Sequence, residues 1–127
     1  MRVLVDSSVL IDHLRGYAPA TGLLVPLVRA GDELWSVTPV RIEIIAGMRP
    51  GEEAGTRALL DQLRWLEVDV DLADHAGEMA RGYVRTHPGV DTVDYLLAAG
   101  TARLAASLLT VNVGHFPMIE GLEPAYE

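Results

Sequence analysis

The chain has 127 residues, half of them apolar and only 6% aromatic, which suits one compact domain with an aliphatic core. It contains no cysteine, so disulfides, thiolate metal sites and thiol nucleophiles are all excluded. Eighteen acids face ten bases, all arginine, for a net charge of −8. That excess argues against nucleic acid unless the acids gather divalent cations that then meet an anionic partner.

Residues 2–5, apolar apart from Arg2, are cut off by Asp6 too early for a signal peptide, and no apolar stretch approaches the roughly 20 residues of a membrane span. A soluble, cytoplasmic protein is expected. Arg2-Val-Leu-Val5 reads as a strand, Asp6-Ser7-Ser8 as the turn into a helix reaching about Leu14, and 21–30 as a second helix. After the Gly31-Asp32 turn, 33–37 reads as a strand. Thr38 as N-cap and Pro39 at the first helical position start a helix that ends near Gly47. Residues 51–65 are amphipathic, and 66–70 alternate like a half-exposed edge strand.

Residues 72–86 read as another helix, closed by His87-Pro88-Gly89. Asp91 opens a helix whose run Tyr95–Ala99 is apolar all round, as in a buried helix. A buried-type strand follows at 107–111, then a loop at 112–116 and a last short strand near Met118–Ile119. Strands and helices thus alternate, which predicts an α/β fold. A mostly parallel sheet of four to five strands would have helices on both faces, in one domain over 1–127.

Ligands of open parallel sheets bind beyond the carboxyl ends of the strands. Asp6 ends the first strand, Asn112 follows the last long one, Glu43 lies one turn into the helix after the second strand, and Asp94 is in the first turn of the buried helix. Each has a plainer reading. Asp6 also suits an N-cap, Asp91 and Asp94 have the spacing of a cap and its third residue, and Glu43 with Arg41 could form a solvated stripe. Against the stripe, the neighbours of Glu43 are Ile42, Ile44, Ile45 and Ala46, and a carboxylate buried among them is costly unless paired or metal-bound.

The four histidines have no paired metal spacing, so an all-oxygen site favours magnesium or manganese over zinc. Ser7, Ser8 and Thr38 could orient the acids or merely cap helices. Trp35 and Trp65 read as packing residues, and Asp69, Asp71 and Asp74 as a solvated acidic edge. Arg15, Arg41 and Arg49 are candidates for the rim of a cleft.

Four segments together resemble the PIN-domain nucleases, and among them the VapC toxins of bacterial toxin–antitoxin pairs. They are Val3-Leu-Val-Asp6-Ser7-Ser8-Val-Leu-Ile11, Ser36-Val-Thr-Pro-Val-Arg-Ile-Glu43-Ile44 with Gly47, Asp94-Tyr-Leu-Leu-Ala-Ala99, and Leu108-Leu-Thr-Val-Asn112-Val-Gly-His115-Phe116. Their order and spacing match across nearly the whole chain. The resemblance implies a PIN-like three-layer fold and a Mg2+- or Mn2+-dependent endoribonuclease. Asp6, Glu43 and Asp94 would be its catalytic metal ligands.

It also implies a substrate among tRNA, rRNA or mRNA, a homodimer, and a VapB-like antitoxin that silences the site within a heterotetramer or larger assembly. Many relatives carry a fourth acid where this chain has Asn112 and His115; Asn112 or Asp91 would then supply a further ligand, with Asn112 and His115 otherwise supporting the acids. The alternatives are a PIN-fold module that binds without cutting, and a receiver-type signalling domain. This chain lacks the lysine and the paired acids that the receiver and haloacid-dehalogenase types require, since it has no Lys and position 8 is Ser.

Overall fold

A computed structural model describes residues 1–127. Four strands, β1 (Arg2–Val5), β2 (Glu33–Val37), β3 (Arg64–Leu66) and β4 (Ser107–Leu109), form one sheet in the order β3-β2-β1-β4. Every neighbouring pair is parallel. Six α-helices connect them: α1 (Ser7–Leu14), α2 (Ala18–Arg29), α3 (Thr38–Ala46), α4 (Glu53–Gln62), α5 (Val70–Arg81) and α6 (Thr92–Leu104).

The chain steps from β1 to β2 to β3 in one direction, then crosses back over the sheet to β4. With right-handed crossovers, α1–α4 cover one face and α5–α6 the other. The packing agrees: α1 touches α2 and α3, while α6 lies on α5, β1 and β2. Covered on both faces, β1 has Val3, Leu4 and Val5 all buried. The strand order reverses between β1 and β4, which is where such sheets open a crevice at their carboxyl ends.

Helix α6 is the central one. Seven consecutive residues from Asp94 to Gly100 are buried. Gly100 allows its close approach to the sheet, because a Cβ there would stand 3.0 Å from Leu4 Cδ2 and 3.2 Å from Leu66 Cδ2.

Several expected boundaries move. β3 is an edge strand as anticipated but lies at Arg64–Leu66 rather than 66–70, because Leu66 pairs with Val37 and the chain turns into α5 at Asp69. Asp69, Asp71 and Asp74 are all exposed, as expected of a solvated acidic edge, and Asp69 in addition caps α5 through the Leu72 N–H and makes a bidentate pair with Arg103. Val37, not Thr38, is the N-cap of α3, and no side chain caps that helix. No strand forms at Met118–Ile119. Phe116 is buried there, and the chain turns between Phe116 and Ile119. None of the helices is long and apolar enough to cross a membrane.

Candidate active site

The carboxyl end of β1 places Asp6 at the point where the strand order reverses. Its backbone is extended, as at an N-cap, yet its side chain makes no capping bond. Three hydroxyls hold the carboxylate instead. Thr110 Oγ1 donates to Oδ2 at 2.7 Å and Ser8 Oγ to the same oxygen at 3.1 Å, while Ser7 Oγ reaches Oδ1 at 3.4 Å. Asp6 is only 5% exposed. The hydroxyl donors satisfy Oδ2 and leave Oδ1 with a single weak contact, so that oxygen keeps capacity for a further partner.

Asp94 enters from the start of α6. Here the plainer reading holds in full geometry: Asp91 Oδ1 accepts from the Asp94 N–H, and Asp94 Oδ2 accepts from the Asp91 N–H, both at 3.0 Å. This capping box does not exhaust Asp94. The residue is 5% exposed, and His115 Nδ1 approaches its Oδ2 at 3.4 Å. Burial, with added repulsion from Asp91 and Asp6, pushes its carboxyl up to about 6. The Asp91 N–H and His115 pull the other way.

Glu43 reaches the same region from α3, which packs on α1. Partial desolvation raises its carboxyl above the usual range, and the charges of Asp6 and Asp91 raise it further; the Ser7 hydroxyl partly offsets them. Glu43 is thus within electrostatic reach of the β1 and α6 acids. The burial expected from its apolar neighbours does not hold: Glu43 is itself exposed on α3, as is Ile42 at 70%. The helix turns an apolar side chain to solvent beside the acid.

The four acids therefore share one edge of the sheet as an open rim. No three carboxylates or imidazoles stand close enough to enclose a metal by themselves, so the compact three-acid cage expected from the sequence does not form. What the acids do form is a set of like charges in which Glu43 and Asp94 are pushed upward by their neighbours, and the Oδ1 atoms of Asp6 and Asp94 are lightly engaged or free. That donor set suits a hard cation that keeps most of its own water.

Asn112 opens the short 3-10 turn Val113–His115, and its N–H donates to Thr110 Oγ1 at 3.0 Å; its exposed side chain bonds none of the acids. Thr38 likewise bonds none of them. Of the three arginines considered for the rim, Arg15 binds Glu52 at 2.8 Å and the Gly47 carbonyl, and Arg41 stacks over Trp65 at 4.8 Å. Only Arg49 keeps its guanidinium free of side-chain partners. Thr110 was missed as a site residue. No local signal marked it, because its approach to Asp6 depends on β4 pairing with β1 in the register Val5 to Leu109.

The PIN-domain family model matches residues 3–116. Over 123 residues the chain is 42% identical to Ribonuclease VapC19 of Mycobacterium tuberculosis, covering 97% of this chain and 98% of that protein. Among solved structures, a toxin–antitoxin complex from Klebsiella pneumoniae matches with TM-score 0.77 at 21% identity, over 98% of both chains. VapBC-1 from nontypeable Haemophilus influenzae matches with TM-score 0.76 at 20% identity, also over 98% of both. The acids gathered beyond the carboxyl end of β1 and at the start of α6 therefore belong to a chain of the PIN-domain family, within its VapC group.

Proposed function

We propose that this protein is a Mg2+- or Mn2+-dependent endoribonuclease, the toxin of a toxin–antitoxin pair, acting in the cytoplasm. The observation that carries the metal-dependent reading is Asp6: a nearly fully buried carboxylate held by hydroxyls on one oxygen, with Asp94 and Glu43 within electrostatic reach. Full-length similarity to a ribonuclease supports the reaction class. A bound magnesium or manganese ion would lower the pKa of a coordinated water and neutralise charge on the scissile phosphate.

The chain's own residues do the rest. Asp6 and Asp94 present one oxygen each to the crevice and use the other to hold still. Glu43, with a raised pKa, is suited to orient the attacking water and take its proton. His115 steadies Asp94 Oδ2 where many relatives have an acid. Substrate grip relies mainly on the cation bridge, with Arg49 as the one rim arginine whose guanidinium is free, since Arg15 and Arg41 are committed within the fold.

The antitoxin would be VapB-like, by analogy with the partner in the Haemophilus complex. It would silence the site by occupying the crevice, and a homodimer, paired in larger complexes with antitoxin, is the proposed assembly.

The test is cleavage of a mixed tRNA and rRNA pool with added MgCl2 or MnCl2, with and without EDTA. Cleavage is expected with metal and not with chelator, and a loss of at least about 100-fold is expected in Asp6→Asn with an unchanged circular dichroism spectrum. RNA binding without metal-dependent cleavage would establish the non-cutting PIN module instead.

A further inference from the structure

The hydroxyls around Asp6 are themselves held in a fixed direction. Thr110 is fully buried, and its Oγ1 accepts the Asn112 N–H at 3.0 Å. With that lone pair engaged, its proton is directed at Asp6 Oδ2, 2.7 Å away. Ser8 repeats the pattern more loosely, since its Oγ accepts the Val111 N–H at 3.4 Å and donates to the same Oδ2 at 3.1 Å. Both donors converge on one oxygen of the carboxylate. Asp6 Oδ1 has only the 3.4 Å contact from Ser7.

Thr110 is also tied to the last residues of the chain. Its carbonyl accepts the Ala125 N–H at 2.8 Å. The next residue, Tyr126, donates its hydroxyl to Asp12 Oδ2 on α1 at 2.6 Å and packs against Tyr17 with ring centroids 5.7 Å apart. Tyr17 in turn donates to the Glu127 carbonyl at 3.1 Å. Burial and the facing Asp12 keep the Tyr126 phenol protonated. The segment Pro124–Tyr126 thus straps the end of β4 to α1 just where Thr110 meets Asp6.

Resting on the metal-dependent reading above, we propose that Thr110 is a positioning residue, held by the strap, that occupies Asp6 Oδ2 and leaves Oδ1 as the oxygen offered to the cation. A carboxylate fixed in this way binds through one oxygen and pays no reorientation on binding. Loss of an outer hydrogen bond of this kind typically weakens a metal site by about 10- to 100-fold.

The experiment is titration of the whole protein with Mn2+ by electron paramagnetic resonance, alongside thermal melts without metal. Thr110→Val removes the hydroxyl with little change in volume and is expected to weaken Mn2+ binding by about tenfold. Thr110→Ser should restore it. A merely structural role would shift the melting temperature and leave the Mn2+ affinity of the folded protein alone.

If Thr110→Val does not fold, Tyr126→Phe decides. It keeps the ring on Tyr17, loses the Asp12 bond, and should both speed hydrogen exchange at the Ala125 amide and weaken Mn2+ binding measurably. Wild-type affinity in folded Thr110→Val, or, where that variant does not fold, in Tyr126→Phe, overturns the proposal. A wild-type protein that binds no Mn2+ overturns the metal-dependent reading itself, and this inference with it.

Discussion

Between about pH 4 and pH 6 the folded chain keeps a proton on Asp94 that the unfolded chain has released, since the ordinary value of an aspartate is about 3.9 and this one lies at about 6. The folded state binds more protons in that window, so stability falls as pH rises through it, and the penalty is fully present above pH 6. A pKa raised from about 3.9 to about 6 corresponds to about 3 kcal/mol before screening, and the solvent that still reaches the carboxyl lowers that figure. Without metal, the melting temperature is therefore expected to rise as pH drops from 7 towards 5. Asp94→Asn should be more stable than wild type at pH 7.5, lose that advantage near pH 4, and cleave no RNA. An Asn variant less stable at pH 7.5 would show that Asp94 is a structural acid. The sequence could place Asp94 at the start of a buried helix, but the capping box and the charged site looked like competitors. In the structure one carboxylate does both, using Oδ2 for the cap.

At the scale of elements, the tight contact of α6 on the sheet is the most sensitive point. Gly100 faces Leu4 and Leu66 across it. Gly100→Val should cost about 1–3 kcal/mol through overpacking, measured by urea unfolding, while Mn2+ affinity of the folded variant stays near wild type. No stability loss would mean that α6 can ride outward. Period and punctuation made most elements legible: β1, α1, β2 and α3 follow directly from residues 2–46. The misses share a cause. β3 and the tail take their limits from partners distant in sequence, Val37 for Leu66 and Thr110 for Ala125, and local pattern carries no information on those pairings. Ile42 misled for the same reason, because its exposure depends on which face α3 turns to α1.

For the molecule as a whole, the net charge of −8 means that the proposed RNA substrate would need a divalent cation as a bridge. The acids were legible as a group because each follows a strand or opens a helix at one edge. Their open arrangement was not, because spacing along the chain does not set the distance between carboxylates brought together by a sheet.

A ligand that binds only the folded form stabilises it by mass action. Added Mg2+ at pH 7.5 should accordingly raise the melting temperature of wild type and leave Asp6→Asn unmoved; equal shifts would place the cation elsewhere. The most direct measurement is anomalous diffraction from a crystal soaked in MnCl2. The account expects a peak in the crevice within about 2–2.5 Å of Asp6 Oδ1, with Asp94 and Glu43 around it directly or through water. A peak on Oδ2, a peak remote from these acids, or none at all would contradict it.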